Sequence, residues 1–361
     1  MKNTPLYEIH QTLDATFVEL HEGWNIPFVY TNPNHENKMV RSDIGIADIS
    51  YLSTLCLTGE DRAKFLHRII SNDVENLSVG EGNYATLLTN RGKIIGDLRV
   101  YIFEDKIYIS TASECEQQVY TELDKYIIAD DVELTIQTGE VGAIAVYGPH
   151  STELVESVLN LEGISTLPEH HSRACEIDNR WIGCVSAHNV GEYGYHLYAS
   201  SDTLVWLWNK IMAEREDITP IGWEAREALR IEAGTPRYGT ELTDSIFPLE
   251  AELDHAIDFE KGCYIGQEIV ARMKYRGHPN RLLRGIEIDA DESVPQESSI
   301  IVDDKEIGWV TSSAYSPTLD KHIALGYIRI AHTEQGCSIQ IKTTEGKVDG
   351  TVVKLPFVSH I

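Results

Sequence analysis

The sequence predicts an α+β protein with mainly antiparallel sheets and a small β-barrel or sandwich at its C-terminal end. Two observations support this fold class. Segments with strand, hairpin and helix character follow one another in mixed order up to about residue 280, which favours antiparallel sheets over a doubly wound parallel sheet. From about Arg281 the chain changes to short strands separated by turns, a pattern typical of barrels and sandwiches.

The first half of the chain combines two helical stripes with several strands. Apolar residues at helical spacing predict one helix around 65–70 and another over 119–127. Alternating and continuous apolar runs predict strands at Tyr84–Thr89, Ile94–Phe103, Lys106–Thr111, Val132–Gln137 and Ala143–Tyr147. Glu104 and Asp105 are expected to form a hairpin turn between the second and third of these strands.

The second half repeats this order more loosely before the pattern changes. Strands are predicted at 181–186 and 195–198, and helices at 204–212 and 224–233. Gly234 and Pro236 are the expected stop signals of the second helix. The terminal lobe is predicted from five short strands at 286–288, 299–302, 307–311, 323–330 and 338–342.

The length of the chain indicates more than one core. At about 150 residues per domain, a soft guide, 361 residues suggest two or three lobes. We place the main boundary where the strand pattern changes, which gives a first module over residues 1–280 and a second over 281–361.

Charge and hydropathy exclude several function classes. The sequence has 30 Lys and Arg against 57 Asp and Glu, a net charge of −27, which repels nucleic acids and anionic membranes. No run of 18 apolar residues and no signal-peptide pattern is found. The sequence therefore predicts a cytoplasmic protein that binds neither nucleic acid nor membrane.

Cysteine spacing argues against a metal centre. The six cysteines are scattered, with no CxxC and no spacing typical of zinc or of an iron–sulfur cluster. His170, His171 and Cys175 form one mixed group, in surroundings typical of a loop. We expect free thiols and no metal site.

The segment Lys261-Gly262-Cys263-Tyr264-Ile265-Gly266-Gln267-Glu268 carries the strongest chemical signal. It combines a thiol, a cation and an anion with two glycines, each of which costs backbone entropy unless a turn or a close approach requires it. Lys261 and nearby arginines would favour the thiolate of Cys263, which predicts a reactive cysteine. A structural turn around a buried thiol is the alternative.

A window rich in basic residues follows this segment directly. Between Glu268 and Glu287 there is no acidic residue, while five basic ones occur: Arg272, Lys274, Arg276, Arg281 and Arg284. In so acidic a chain, this basic window indicates a binding face for the carboxylates or phosphates of a small ligand, bordering the same cleft as Cys263. The alternative is a network of salt bridges between lobes.

Two carboxylates stand out from their surroundings. Asp97 lies within an otherwise apolar strand, where a carboxylate is costly without a partner. It either faces solvent or is an acid directed at a ligand amine. Glu192 lies between two glycines and beside aromatic residues, a composition suited to a planar heterocycle.

Common catalytic motifs are missing. No GxxxxGK[ST], GxGxxG, HExxH or GxSxG pattern occurs. The sequence thus disfavours ATP-driven, metalloprotease and serine-hydrolase chemistry.

Several segments in sequence order resemble the folate-dependent aminomethyltransferase superfamily, the glycine-cleavage T-protein group. The resemblance runs nearly end to end. It rests on Thr4-Pro5-Leu6-Tyr7, Gly23-Trp24, the segment 40–50, Asn72-Asp73-Val74, Arg230-Ile231-Glu232-Ala233-Gly234, Tyr238-Gly239, Pro248-Leu249-Glu250-Ala251 and Ser316-Pro317-Thr318-Leu319.

Within this superfamily, the segment 261–268 is similar to the signature of the YgfZ branch, folate-binding proteins that help maintain iron–sulfur enzymes. Its residues Lys261, Gly262, Cys263, Tyr264, Gly266, Gln267 and Glu268 are the motif candidates. The resemblance implies a ring of three lobes around a central cavity for tetrahydrofolate. Residues 1–280 would then form two intertwined folate-binding lobes and residues 281–361 the barrel.

The resemblance also implies roles for single residues. Asp97 matches the acid near the folate amines, Glu192 the acid that holds the pterin, Arg226 a basic residue ahead of the last helix, and Tyr84 an aromatic before the acidic strand. Asp97 and Cys263 are thus the catalytic candidates.

The chain also departs from the T-protein pattern. It has Gly96 where T-proteins have a second aspartate, Thr111 in place of an asparagine, and Asn189 near the position of a tyrosine. These departures leave folate binding plausible but put aminomethyl transfer in question.

Three functions remain open from the sequence. The first is a tetrahydrofolate-binding protein that supports iron–sulfur enzymes, with client or assembly proteins as partners and a polyglutamylated folate tail on the basic window. The second is an enzyme that transfers a methylene or methyl group to tetrahydrofolate, with Asp97 orienting the folate nitrogen and assisting proton transfer. The third is a scaffold whose thiol segment contacts a client.

Overall fold

The computed structural model describes residues 1–359. Its α-helices are α1 (Tyr7–Thr12), α2 (Pro33–Ser42), α3 (Arg62–His67), α4 (Glu116–Asp124), α5 (Ser151–Leu159), α6 (Ser201–Glu214), α7 (Trp223–Glu232) and α8 (Gln267–Arg276). Its strands are β1 (Lys2–Asn3), β2 (Thr16–Glu19), β3 (Trp24–Val29), β4 (Gly45–Asp48), β5 (Ser53–Thr58), β6 (Gly82–Leu88), β7 (Ile94–Ile102), β8 (Ile107–Thr111), β9 (Glu133–Ile136), β10 (Val141–Tyr147), β11 (Ser172–Ile177), β12 (Arg180–Ser186), β13 (Gly194–Ser200), β14 (Thr219–Pro220), β15 (Arg281–Ile288), β16 (Ser299–Val302), β17 (Lys305–Ser316), β18 (Lys321–Arg329), β19 (Ser338–Lys342) and β20 (Lys347–Val353).

The strands form three open sheets and a closed barrel. A three-stranded sheet has the order β1-β3-β2, a six-stranded sheet β11-β12-β13-β10-β4-β14, and a five-stranded sheet β6-β7-β8-β5-β9. Most neighbouring strands are antiparallel, while β1 runs parallel to β3 and β4 to β14. The predicted α+β class with antiparallel sheets is confirmed.

Two of the open sheets are interleaved along the chain. The whole five-stranded sheet lies in sequence between β4 and β10, which are hydrogen-bonded neighbours in the six-stranded sheet. Neither sheet is therefore built from one continuous stretch of chain.

The predicted C-terminal barrel is also confirmed. Six strands close it in the order β15-β18-β17-β16-β19-β20. The sequence predicted five of them, two with the observed bounds 299–302 and 338–342. It missed β20, whose alternation is interrupted by Asp349 and Gly350 but whose pairing with β15 and β19 closes the barrel.

Local predictions were best where apolar periodicity was strong. The hairpin at Glu104 and Asp105 forms as predicted, with Phe103 N–H bonded to the Lys106 carbonyl at 2.9 Å. The helix predicted around 65–70, in contrast, is α3, which lies at Arg62–His67. The sequence analysis missed α1, α2, α5 and α8. Helix α1 has six residues, and α2 and α8 have few apolar residues, whereas the apolar stripe of α5 was overlooked.

The six-stranded and five-stranded sheets pack face to face through aromatic side chains. Tyr101 on β7 and Tyr198 on β13 place their rings 5.5 Å apart, and both belong to one buried cluster with Tyr147 and Val185. A separate cluster lies on the far side of each sheet, and a fourth fills the barrel. The two sheets thus share an internal surface.

A buried ionic hub joins three parts of the chain. Glu232, at the end of α7 and fully buried, accepts hydrogen bonds from Arg41 of α2, from Ser316 at 2.6 Å and from Thr318 at 3.1 Å. Arg41 also bonds Glu192 at 3.0 Å. The hub therefore links the N-terminal lobe to the barrel.

This hub leads to a stability prediction. Glu232→Ala should lower the free energy of unfolding by about 3 kcal/mol or more, because it removes one of the two carboxylates that pair with Arg41 and the acceptor of two hydroxyls. Urea unfolding followed by circular dichroism measures this. The control is Glu268→Ala, which removes an exposed pair with Arg272 and should cost less than about 0.5 kcal/mol. Equal effects of both variants would contradict the proposed role of the hub.

Candidate active site

A cavity lies where the two large sheets meet α7 and the loop that follows it. Asp97 of β7, His196 of β13 and Arg226 of α7 all line it. It encloses about 670 Å³ of space not filled by atoms, a figure that includes the part open to solvent. The centre of a water molecule can reach only about 60 Å³ of it, so a bound heterocycle has to displace long side chains.

Strand alternation explains why polar groups converge here. On β7, Leu98 and Val100 point into the cluster behind the five-stranded sheet, so Asp97 and Arg99 face the other sheet. On β13, Tyr195 and Leu197 point into the cluster behind the six-stranded sheet, so His196 faces back. Because side chains alternate between the two faces of a strand, Asp97, Arg99 and His196 all point into one cavity.

Asp97 has one carboxylate oxygen occupied and one without a partner. Its Oδ2 accepts hydrogen bonds from Tyr84 Oη at 3.0 Å and from Arg99 Nη1 at 3.2 Å. Its Oδ1 is buried and has no hydrogen-bond partner among the described residues. A buried carboxylate oxygen without a partner is costly. The Asp97 side chain is thus held by two donors while Oδ1 stays available to a ligand.

His196 was missed by the sequence analysis. It is 2% exposed, its Nε2 lies 2.9 Å from Tyr147 Oη, and its Nδ1 has no partner among the described residues. Burial lowers its pKa well below the usual value, and the cations Arg99 and Arg226 add to this. The imidazole is therefore neutral. The sequence predicted a strand at this position, but it did not show which face of the strand points into the protein.

Three arginines cover the cavity, two of which the sequence did not single out. Arg226, predicted from the resemblance, lies over the rings of Tyr51 and Trp223 at 5.3 and 5.5 Å. Arg237 lies over Trp223 at 5.2 Å, and Arg230 lines the cavity and is paired with Glu227. Such stacked, movable cations suit an anionic ligand.

Tyr84 supports Asp97 and is not among the residues that line the cavity in residues 1–359. Its ring is stacked between His255 at 5.6 Å and His170 at 6.1 Å. Burial, and then Asp97, raise the pKa of its hydroxyl well above the usual value, so it stays a hydrogen-bond donor. The structure thus shows it positioning the acid, and direct ligand contact stays a prediction.

Glu192 lies outside the cavity lining. It is buried and paired with Arg41 at 3.0 Å, part of the ionic hub. The glycines around it have local causes. Gly191 has φ +75°, and a Cβ on Gly194 would lie 2.4 Å from Tyr147 Cδ1. The structure shows a structural role for this segment, since Gly194 makes room for Tyr147, which contacts His196; the pterin contact of Glu192 stays a prediction.

Three residues of the thiol segment have packing roles. Lys261 Nζ donates to the main-chain carbonyls of His67, Ile70 and Asn72, and Tyr264 is 8% exposed in the large core. Gly266 has φ +84°, where a Cβ would lie 2.7 Å from the Thr89 carbonyl. The Lys261 ammonium is thus bound to three main-chain carbonyls, and the reactivity of Cys263 stays a prediction.

The remaining motif residues are on the surface. Cys263 is exposed, and nothing lies within 4 Å of a Cβ built on Gly262. Gln267 donates to the Gly262 carbonyl at 3.3 Å, and Glu268 pairs with Arg272. Cys263 is not among the residues lining the Asp97 cavity in residues 1–359. A shared cleft of Cys263 and the basic window stays a prediction.

Three cations of the basic window form salt bridges, which the sequence analysis gave as the alternative to a binding face. Arg281 pairs with Glu250 at 3.0 Å, Arg284 with Glu252 at 2.6 Å, and Lys274 with Asp254. The acidic partners come from the segment 250–254, which the local sequence window could not reveal. These three cations are not a free binding face, whereas Arg272 pairs with exposed Glu268 and Arg276 has no ion-pair partner among residues 1–359.

The departures from the T-protein pattern are consistent with the packing around Asp97. A Cβ on Gly96 would lie 2.6 Å from Val119 Cγ2 and 3.3 Å from Cys115 Sγ, so a second aspartate does not fit there. Thr111 Oγ1 donates to the Asp97 carbonyl at 2.8 Å. Asn189 lines the cavity with its Oδ1 unpartnered among the described residues.

Within residues 1–359, no group of three or more His, Cys, Asp or Glu side chains is arranged to hold a metal ion. No helix in the same range combines the length and apolarity needed to cross a membrane.

Comparisons with known proteins agree with this architecture. The family model of the GCVT N-terminal domain matches residues 6–261, and that of the glycine cleavage T-protein C-terminal barrel domain matches residues 281–359. An aminomethyltransferase of Halothermothrix orenii is 32% identical, covering 99% of this chain and 100% of the relative. An aminomethyltransferase of Bacillus pumilus is 29% identical, covering 99% and 98%.

A solved structure shows the same fold. The glycine cleavage system aminomethyltransferase T from Bartonella henselae aligns with a TM-score of 0.90 at 24% identity, over 99% of this chain and 98% of that one. The fold is thus that of the aminomethyltransferases. The chain belongs to the glycine cleavage T-protein family. The predicted superfamily is confirmed, whereas these comparisons do not support the YgfZ branch.

The packing of Lys261 leads to a test of the thiol segment. Lys261→Met should lower the free energy of unfolding by about 1–3 kcal/mol, since three main-chain carbonyls lose their donor. Cys263→Ser, two residues away and exposed, should change it by less than about 0.5 kcal/mol. Urea denaturation of both variants decides between a structural and a chemical role. A larger loss of stability in Cys263→Ser would contradict this assignment.

The histidine stacked on Tyr84 predicts a pH effect. Burial lowers the pKa of His170 from 6.5 to about 4, and Arg99, His255 and His188 add to this, while Glu169 opposes it. The unfolded chain binds this proton more tightly, so stability falls as the pH drops from about 6.5 to about 4. His170→Gln should therefore reduce the loss of melting temperature between pH 7 and pH 5.

Melting curves of this variant need a matched control. His150→Gln, at a half-exposed site on the surface, should leave the loss on acidification as it is in the unmodified chain. An unchanged pH dependence in His170→Gln would show that other groups cause the effect.

Proposed function

We propose that this chain is a tetrahydrofolate-dependent aminomethyltransferase that passes a one-carbon group from an amine donor to tetrahydrofolate. The family membership and the names of the relatives support this choice. The sequence analysis gave one-carbon transfer to tetrahydrofolate as the alternative function, and we now prefer it to the support of iron–sulfur enzymes.

The single observation that carries the proposal is the set of unsatisfied polar atoms in the cavity. Asp97 Oδ1, Asn189 Oδ1 and His196 Nδ1 are buried and have no partner among the described residues, and all three residues line the same space. Buried polar groups are rarely left unpaired without a functional reason. A reduced pterin has ring N–H groups, an amino group and a carbonyl that can pair with such atoms.

Asp97 is the catalytic candidate within this set. When bound, tetrahydrofolate supplies the secondary amines that accept the one-carbon group. Tyr84 and Arg99 fix the Asp97 carboxylate by occupying Oδ2, which leaves Oδ1 to accept a hydrogen bond from a ligand amine. An acid or base held in this way orients the amine and can take or return its proton.

The arginines around the rim suit the anionic end of folate. Arg226 and Arg237 stack on Trp223 and both line the cavity, and Arg237 also pairs with Glu114 at 3.3 Å. A glutamate tail, including a polyglutamylated one, carries carboxylates that pair with guanidinium groups. We place the tail at these arginines because they line the cavity, whereas no residue of the basic window does among residues 1–359.

Support of iron–sulfur enzymes becomes secondary. It relied on the segment 261–268, in which Lys261, Tyr264 and Gly266 have packing roles. Iron–sulfur clients or assembly partners receive no support from the comparisons. Exposure of Cys263 is compatible with several roles and selects none.

The test of this function is Asp97→Asn. The amide has the same shape but cannot take a proton, so turnover should fall by about 100-fold or more, while the dissociation constant of tetrahydrofolate should change by less than about tenfold. Calorimetry measures binding, and formation of methylenetetrahydrofolate or methyltetrahydrofolate from an aminomethyl-lipoyl or a methylated amine donor measures turnover.

A matched carboxylate variant completes this experiment. Glu268→Gln, on the exposed surface away from the cavity, should keep both binding and turnover. If the unmodified chain does not bind tetrahydrofolate, or if Asp97→Asn turns over at the normal rate, the proposed function is wrong.

A further inference from the structure

A second and wider space, the α7–barrel cleft, lies between helix α7 and the barrel. Its walls include Trp223 and Glu224 of α7, residues 311–315 of β17 and residues of the segment 293–296. The centre of a water molecule can reach about 540 Å³ of this cleft, against about 60 Å³ of the Asp97 cavity. The α7–barrel cleft can therefore admit a small molecule without displacing side chains, whereas the Asp97 cavity cannot.

Two side chains form the boundary between these spaces. Among residues 1–359, Trp223 and Arg237 are the two that line both the cleft and the Asp97 cavity. The Arg237 guanidinium lies 5.2 Å from the centre of the Trp223 ring. Arg237 is partly exposed and also pairs with Glu114 at 3.3 Å and with Glu227 at 3.5 Å. A change of rotamer in either member of this stacked pair would join the two spaces.

The charges that line the cleft leave one carboxylate free. Glu227 is paired with Arg237, and His322 Nδ1 lies 3.0 Å from Ser293 Oγ. Glu224 is exposed and has neither a hydrogen bond nor an ion pair in the part of the chain that the structure describes. The cleft thus offers an unpaired negative charge to a ligand.

The Asp97 cavity has the opposite character. Four arginines line it against the two carboxylates of Asp97 and Glu114. An anionic ligand is attracted to such a cavity and a cation is repelled from it, while the reverse holds for the cleft. The two spaces therefore favour ligands of opposite charge.

We propose that the α7–barrel cleft binds the protonated amine that donates the one-carbon group, with Glu224 as its counter-ion, and that this donor reaches the Asp97 cavity past Trp223 and Arg237. The inference rests on the proposed function and adds where its second substrate binds. Trp223 and Tyr315 also line the cleft, and the faces of aromatic rings attract ammonium groups. The anionic folate and the cationic donor then enter by different openings.

Kinetics of charge variants at Glu224 test this assignment. With tetrahydrofolate saturating, Glu224→Gln should raise the KM of the donor about three- to tenfold, the range expected for one partly exposed ion pair. Glu224→Lys should raise it further, because it replaces attraction by repulsion. Since the lost interaction serves binding alone, kcat and the dissociation constant of tetrahydrofolate should stay within about twofold. An aminomethyl-lipoyl donor and free dimethylamine are both measured, which distinguishes a carried amine from a free one.

Glu153 provides the matched control. It is an acidic residue in the first turn of α5, as Glu224 is in the first turn of α7, and its side chain is 82% exposed. Glu153→Gln and Glu153→Lys therefore reproduce any general effect on helix stability or on the net charge of the protein. Both should leave the KM of the donor unchanged.

Blocking the cleft provides a second test that does not depend on Glu224. Gln296 is exposed and lines the cleft, so Gln296→Cys can be labelled with a bulky maleimide after the accessible thiols of Cys175, Cys263 and Cys337 are replaced by serine. The label should block turnover with the donor and leave tetrahydrofolate binding unchanged. The same label on Glu153→Cys should affect neither.

The outcomes separate this inference from the proposed function. Normal turnover with the cleft blocked, an unchanged donor KM in folded Glu224→Lys, or weaker tetrahydrofolate binding in place of weaker donor binding would overturn the inference and leave the proposed function intact. Absence of tetrahydrofolate binding, or of turnover with both donors, in the unmodified chain would defeat the proposed function, and this inference with it.

Discussion

The face-to-face packing of two sheets is the constraint on which the site depends. Both sheets bury their outer faces under helices and other segments, so strand alternation forces every second residue of β7 and β13 into the space between them. Aromatic residues fill most of this space. Asp97 and His196 occupy the part beside α7, so polar groups accumulate where the aromatic packing ends.

The position of α7 depends in turn on the Glu232 hub. The end of this helix bonds α2 through Arg41 and the barrel side through Ser316 and Thr318. The start of the same helix carries Trp223 and Arg226, which line the cavity. Because a buried ion pair is costly when broken, the hub holds the helix in place, and Glu192 contributes to the site through this support.

The parts of the fold that the sequence predicted are those with strong local patterns. The strands around β6 to β8 have long apolar runs and a hairpin turn, and the terminal strands have clear turn residues. The sixth barrel strand was missed because Asp349 and Gly350 interrupt its alternation, although pairing with β15 and β19 fixes it. Pairing of this kind lies outside a local window.

The candidate site was predictable only in part, for the same reason. Asp97 was identifiable as a carboxylate in an apolar strand, and Arg226 from the resemblance. Glu192 pairs with Arg41, 151 positions away, and the salt-bridge partners of the basic window come from another segment. Because the local sequence does not show these partners, the sequence analysis interpreted the charges as ligand-binding groups. His196 has no unusual local sequence, and only the facing sheet shows where it points.

The hydrogen bonds of Lys261 bear on how the segment 261–268 can be used to classify proteins of this family. Its ammonium group lies at the end of α3 and donates hydrogen bonds to three main-chain carbonyls. Lys261, Tyr264 and Gly266 therefore report how this corner of the domain is built. Their presence does not by itself indicate a reaction.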